Sequence, residues 1–132
     1  DRALLAWLAS LSLQTVIVIH ANHANEIDES VQAALKALAG CGATLLNQSV
    51  LLRGINDSPQ ALADLSERLF AAGVLPYYLH RLDPVRGAAH FDVPAPEAAR
   101  LMRELAARLP GYLVPRAVTE VPGAAYKIPL AW

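Results

Sequence analysis

The chain has 132 residues, enough for one domain with a substantial core, because about 150 residues bury roughly two thirds of their extended surface. Its net charge of −1 offers no basic patch for nucleic acid or for a membrane surface. The apolar runs fall short of the roughly 18 residues that a membrane-spanning helix needs. Cys41, the single cysteine, excludes an internal disulfide and a cysteine-ligated cluster. We therefore expect a reduced, cytoplasmic protein.

The composition is more apolar than that of most soluble domains. Hydrophobic residues make up 55% of the chain, charged residues make up 17%, and the mean hydropathy is +0.31. These charges are too few to cover a small globule completely. Either most elements are buried on both sides, as in a parallel sheet covered by helices, or part of the surface faces more protein.

The predicted elements alternate between helix and strand along the chain. Cap residues and glycine or proline stops predict four helices, at residues 2–10, 29–39, 59–72 and 96–108. Continuous apolar runs predict three buried strands, at residues 15–20, 43–52 and 74–82.

This order predicts an α/β fold with a parallel sheet. The strands start about thirty residues apart, which is the size of a right-handed βαβ unit. We expect a single domain over residues 1–132, with the βα units in 1–110 and an irregular tail in 111–132. Three units do not close a barrel and the chain begins inside a helix. The sequence is therefore interpreted as a piece of a longer α/β barrel.

Polar residues follow each strand, where ligands of parallel α/β folds bind. His20 and His23 end the first run, but their loop spacing without another ligand does not support a metal site. Asn47 and Gln48 lie inside the second run and must point to opposite faces, so only one can face a barrel interior. Pairing of either amide with neighbouring backbone is the alternative.

Two carboxylates are further candidates. Asp83 stands at the end of the third strand, where it could hold a cation or simply form a turn before Pro84. Glu120 could supply a second carboxylate to the same pocket or be a solvated loop residue. The run 56–59 (NDSP) is interpreted as a turn and helix cap rather than a site.

Lys127 is one of only two lysines and closes a run of small residues, PGAAYK. A lysine amine can form a Schiff base with a carbonyl cofactor, and small neighbours let the backbone approach a bulky ring. An ordinary exposed lysine is the alternative.

Five segments carry a family resemblance: HANHANEI at 20–27, NQSVLLRGIND at 47–57, PYYLHRLD at 76–83, GYLVP at 111–115 and PGAAYK at 122–127. In this order and spacing they resemble the lysine 2,3-aminomutases, radical S-adenosylmethionine enzymes that also use pyridoxal phosphate. The resemblance runs from about Thr15 to Leu130 and implies the C-terminal half of a partial (β/α)6 barrel. The runs around His80 and His90, and Glu120 in place of aspartate, are closest to the type that makes (R)-β-lysine for elongation factor P.

The resemblance assigns roles to individual residues. Lys127 matches the lysine that holds pyridoxal phosphate as a Schiff base. Asp83 and Glu120 match the carboxylates that bind the distal ammonium of the substrate, L-lysine. His20 and Gln48 match positions that line the pocket for S-adenosylmethionine and pyridoxal phosphate.

The implied reaction converts L-lysine to β-lysine. A 4Fe–4S cluster cleaves S-adenosylmethionine, and the resulting 5′-deoxyadenosyl radical abstracts hydrogen from substrate. His80 stands where the catabolic enzymes usually carry tyrosine, so its role is open.

The cluster motif CxxxCxxC is absent from this chain. The remaining N-terminal half of the barrel is therefore expected as a partner, and this chain alone is expected to be inactive. A noncatalytic α/β ligand-binding module and a pyridoxal phosphate enzyme without radical chemistry are the alternatives.

Overall fold

A computed structural model of the chain describes residues 1–82 and 89–132. Helices and strands alternate as the sequence predicts, which confirms the α/β fold class. The helices are α1 (Arg2–Ser10), α2 (Glu29–Gly40), α3 (Pro59–Ala71) and α4 (Ala95–Arg108). The strands are β1 (Val16–His20), β2 (Thr44–Leu51), β3 (Val74–Arg81), β4 (Arg116–Thr119) and β5 (Ile128–Pro129).

Local side-chain hydrogen bonds fix where the first three helices begin. Asp1, Asp28 and Ser58 each accept a bond from the backbone N–H three residues ahead, at 2.8, 2.9 and 3.1 Å. Each bond satisfies a donor that the first helical turn would otherwise leave unpaired. Ser58 therefore serves as the predicted helix cap.

The five strands form one sheet in the order β1-β2-β3-β4-β5. The first four strands are parallel, and β5 runs antiparallel to β4. The ladder between β2 and β3 shifts by one residue, so that Asn47 pairs with Pro76 but Gln48 pairs with Tyr78. Such a bulge redirects side chains on the bulged strand, here at Tyr77 and Tyr78.

The core lies between the sheet and the helices on one face. Side chains of β2, β3 and β4 pack there against α3 and α4, and those of β1 and β2 pack against α2 and α3. Leu69, Val74 and Leu105 have no exposed surface. This helix-covered face provides most of the apolar burial that stabilises the domain.

The opposite face of the sheet carries no covering layer in the described residues. Val16, Val18 and Leu75 point to this face and remain 57%, 37% and 38% exposed. Side chains of parallel barrel strands point alternately outward to helices and inward to the barrel interior. The bare face is therefore the side that would face the interior in the barrel predicted from the sequence.

The predicted irregular tail requires a correction, because residues 111–132 add two strands to the sheet. Arg116–Thr119 pairs with β3, and Ile128–Pro129 returns beside it as half of a hairpin. Both strands are short, and Pro129 interrupts the apolar pattern that would reveal one. Pairing with β3 and within the hairpin, rather than local pattern, defines them.

Candidate functional site

The register of the sheet brings residues distant in sequence into one row on the bare face. His20 pairs with Gln48, and Gln48 pairs with Tyr78. Directly paired residues share a face, and adjacent strands lie about 4.8 Å apart. The next row on the same face contains Val50 and His80, also directly paired. The ends of β1, β2 and β3 thus place polar side chains next to one another on the bare face.

The two adjacent amide side chains of β2, Asn47 and Gln48, point to opposite faces of the sheet. Asn47 is buried on the helix side, where it accepts a bond from the N–H of Ala21 at 2.9 Å and donates to the Ala21 carbonyl at 3.0 Å. Gln48 faces the bare side and lines the cavity there. Asn47 therefore ties β1 to β2, and Gln48 is the amide available to a ligand.

Asn56 is a second structural amide. It is fully buried, and its side chain accepts from the N–H of Leu52 at 2.8 Å and donates to the carbonyls of Asn22 and Val50. The turn interpretation of residues 56–59 is thus confirmed. The same bonds hold the loops after β1 and β2 together beneath the site.

Lys127 lies at the end of a hairpin opposite Glu120. The antiparallel pairs Val118–Pro129 and Thr119–Ile128 place Glu120 and Lys127 at the next position of the same register. Their side chains form an ion pair, with 3.0 Å between Lys127 Nζ and Glu120 Oε1. Opposite charges at facing positions of two strands stabilise the pairing. The seven-residue spacing between Glu120 and Lys127 therefore corresponds to a hairpin whose two strands are joined by this ion pair.

An aromatic surface lies beneath the lysine. Lys127 Nζ is 5.5 Å from the centre of the Tyr78 ring, within cation–π range. Tyr77 stacks on Tyr78 with a centroid distance of 3.9 Å, and His80 meets Tyr78 edge-on at 5.7 Å. The bulge in β3 makes this stacking of sequence neighbours possible, because adjacent residues of a regular strand point to opposite faces.

His80 lies in the wall of the same cavity. Burial lowers the pKa of His80 below its ordinary value, while the negative charge of Glu120 opposes that shift. Its Nε2 atom is buried and has no hydrogen-bond partner among the described residues. A neutral imidazole with an unsatisfied nitrogen is suited to hydrogen-bond a ligand.

His80, Glu120 and Lys127 line an open cavity of about 630 Å³, the size of typical small-molecule sites. Its lining includes five of the predicted or near-site residues: His20, Gln48, His80, Glu120 and Lys127. Pro122 and Ala124 also line it, so small residues leave room beside the amine. A lysine amine at the wall, small neighbours and the orphaned His80 Nε2 fit a carbonyl cofactor.

Other candidates lie elsewhere. Asp83 falls outside the described residues. His23 caps a short 3₁₀ turn, accepting from the N–H of Asn25 through Nδ1, while Glu26 accepts from the N–H of His23. Within residues 1–82 and 89–132, no three histidine, cysteine or acidic side chains gather at metal-binding spacing.

Tyr78 is the site residue that sequence reasoning missed. The adjacent tyrosines of PYY were visible as part of a strand, but their stacking depends on a bulge that local sequence does not reveal. The motif therefore indicated an aromatic strand and not an aromatic surface beneath Lys127.

Three relatives of this chain carry the same name. L-lysine 2,3-aminomutase of Escherichia coli K12 is 54% identical over 128 residues, which are 97% of this chain and 37% of that protein. The enzyme of the same name from Haemophilus influenzae is 50% identical over 88% of the chain and 34% of its own length. That from Clostridium subterminale is 39% identical over 84% and 27%. The chain thus spans about a third of the length of the curated relatives that it matches.

The solved structures add a fold match. A radical SAM methyltransferase from Sphaerobacter thermophilus superposes with a TM-score of 0.59 at 17% identity, covering 89% of this chain and 37% of that one. At this identity the match supports the α/β fold alone. No protein-family model matches the chain. Among the described helices, none is both long and apolar enough to cross a bilayer.

The identities of 47–54% over most of the chain make it homologous to part of the L-lysine 2,3-aminomutases.

Proposed function

We propose that this chain supplies the lysine-bearing wall of the active site in a radical S-adenosylmethionine enzyme that converts L-lysine to β-lysine. The observation that carries the proposal is Lys127 at the wall of a cavity of about 630 Å³, facing Glu120 and resting over Tyr78. Homology to aminomutases over 97% of the chain supports the same reaction class.

Lys127 would bond pyridoxal phosphate through its amine. Small residues on the hairpin, Pro122 and Ala124, leave the amine accessible from the cavity. The Tyr78 ring and the Glu120 carboxylate hold its position, because each attracts the ammonium. When bound there, pyridoxal phosphate would supply a ring that delocalises the unpaired electron while the amino group migrates.

The remaining wall residues would orient the other ligands. His20 and Gln48 stand side by side and present a ring nitrogen and an amide for hydrogen bonds to S-adenosylmethionine or to the pyridoxal ring. Asp83 and Glu120 would pair with the distal ammonium of the substrate through two charge-assisted bonds. Carboxylates at that position would select a substrate with the chain length of lysine. His80, held neutral by burial, would hydrogen-bond a ligand without adding charge.

The 4Fe–4S cluster does not fit the residues described, which contain no set of cysteine ligands. We place the cluster on the remaining N-terminal half of the barrel, whose interior would close over the bare sheet face. The product would serve elongation factor P modification in the cytoplasm, as the resemblance of the runs around His80 and His90 and the presence of Glu120 imply.

The test is borohydride trapping of pyridoxal phosphate on full-length protein, read by peptide mass. Lys127→Ala should abolish the labelled peptide, because no other lysine lines the described cavity. Lys36→Ala, which removes the other lysine of this chain, should leave labelling unchanged.

Trapping that persists in Lys127→Ala would overturn the assignment. Trapping at Lys127 without cluster-dependent cleavage of S-adenosylmethionine would instead favour a pyridoxal phosphate enzyme of another kind. Neither reaction in the wild-type protein would favour a noncatalytic ligand-binding module.

A further inference from the structure

The hairpin that carries Lys127 also carries the carboxylate nearest to its amine. Glu120 Oε1 lies 3.0 Å from Lys127 Nζ, and the register of β4 and β5 makes the two residues face each other. The turn between them is closed by a bond from the N–H of Ala124 to the carbonyl of Val121 at 3.0 Å, with Gly123 at φ +81°. The pair is therefore built into the hairpin.

This pairing bears on the substrate role proposed for Glu120. A carboxylate and an ammonium in contact sum to zero charge, so an incoming ammonium meets a neutralised partner. Glu120 cannot make a full-strength bond to two ammonium ions at once if both approach through the same oxygen. The amine of Lys127 and an amine ligand must share this carboxylate.

Lys127 has a second stabilising contact that does not involve Glu120. Its ammonium lies over the Tyr78 ring at 5.5 Å, and cation–π attraction persists when the carboxylate turns to another partner. The side chain of Lys127 is 29% exposed and that of Glu120 is 68% exposed, so the carboxylate of the pair is accessible to a second ammonium.

We propose that Glu120 is a shared counter-ion for which the Lys127 ammonium and the ammonium of an amine ligand compete. The inference rests on the proposed function, since it concerns the substrate amine of that same site. While Lys127 remains an unmodified ammonium, it lowers the affinity of the cavity for an alkylammonium ligand. Any process that draws the Lys127 amine away from Glu120 raises that affinity, which favours cofactor attachment before substrate binding.

A double-mutant cycle on full-length, cofactor-free protein tests the competition, with L-lysine as the probe and titration calorimetry or ligand-observed NMR as the measurement. Lys127→Gln removes the charge and keeps a polar side chain that is one atom shorter. It should tighten lysine binding about two- to fivefold, the range expected for an exposed cross-strand ion pair. In a Glu120→Gln background the same change should have a smaller effect, because only the direct repulsion between the two ammonium groups is then removed.

Two controls isolate the charge. Norleucine has the carbon chain of lysine without the distal ammonium, so its affinity should be the same for wild type and Lys127→Gln. Lys36→Gln removes a lysine of α2 that does not line the cavity, and it should leave lysine affinity unchanged.

Lysine affinity that is unchanged or weaker in Lys127→Gln would overturn the inference, as would a gain of the same size in the Glu120→Gln background. Absence of lysine binding to all four proteins would also overturn it, because Glu120 would then not accept a ligand ammonium. Loss of trapping in Lys127→Ala combined with unchanged lysine affinity would remove this inference and leave the proposed function standing.

Discussion

The two faces of the sheet differ in what they do. The face under α2, α3 and α4 is packed with aliphatic side chains and contains buried amides whose hydrogen bonds end on backbone. The other face carries His20, Gln48 and His80, with Lys127 and Glu120 at its edge. The same strands supply both sets through their two-residue alternation. One face stabilises this part of the fold, and the other exposes the side chains that we propose bind ligands.

The largest expected effect is on the covered face. Leu105 of α4 is fully buried in the cluster between the sheet and the helices. Leu105→Ala should lower the free energy of unfolding by about 2 to 5 kcal/mol, through lost burial and the cavity left behind. Chemical denaturation of the full-length protein measures this change.

The matched control lies on the same helix. Arg100 pairs with Glu104 on the exposed side of α4, and Arg100→Ala should change the unfolding free energy by less than about 0.5 kcal/mol. Equal effects of the two substitutions would mean that the packed face does not dominate stability.

Adjacent residues of β2 give a sharper comparison between the faces. Asn47→Ala removes both bonds to Ala21 and leaves a buried N–H and carbonyl unpaired, which should cost about 1 to 3 kcal/mol. Gln48→Ala, one residue further, should change stability by about 0.5 kcal/mol or less while weakening cofactor or S-adenosylmethionine binding. Denaturation and ligand titration of both variants measure the two effects, and a reversed pattern would contradict the assignment of the faces.

The smallest expected effect concerns the pH response of His80. Its pKa is lowered by burial, so its NMR titration midpoint should fall below the ordinary histidine value of about 6.5. As pH falls from that value toward the lower pKa, the unfolded state takes up the proton first, and stability is lost over this window. Above it the contribution of neutral His80 is fully present.

Two variants check this behaviour. His80→Gln should flatten the dependence of stability on pH within the same window. Glu120→Gln should lower the His80 pKa further, because the charge of Glu120 opposes the effect of burial. A His80 midpoint at or above the ordinary value would show that the cavity wall does not desolvate this ring.

Local sequence signals predicted much of this architecture. The bounds of the four helices agree with the structure to within one residue, because Asp28, Ser58 and the following glycines or prolines are strong start and stop signals. The three predicted strands were also confirmed. They could be predicted because apolar runs between helices indicate buried parallel strands. The two short strands of the tail were not predicted, because they are defined by their pairing with β3 and with each other.

For the candidate site, too, some features could be predicted from the sequence and others could not. The chemical character of Lys127, Glu120, His20 and Gln48 could be inferred from the chain and its family resemblance, and the structure brings all four to one cavity. The pairing of Lys127 with Glu120 and its position over Tyr78 could not, because they depend on the hairpin register and on the bulge in β3. The role of Asp83 stays a prediction.

Local sequence is sufficient to predict which segments become helices and strands, and which residue types stand at the strand ends. These outcomes depend on capping, turn chemistry and apolar period, which act over a few neighbouring residues. Only the tertiary structure decided that Glu120 is the counter-ion of Lys127 and that Tyr78 lies beneath it. Such contacts depend on how strands align across the sheet, where a shift of one residue turns a side chain to the other face.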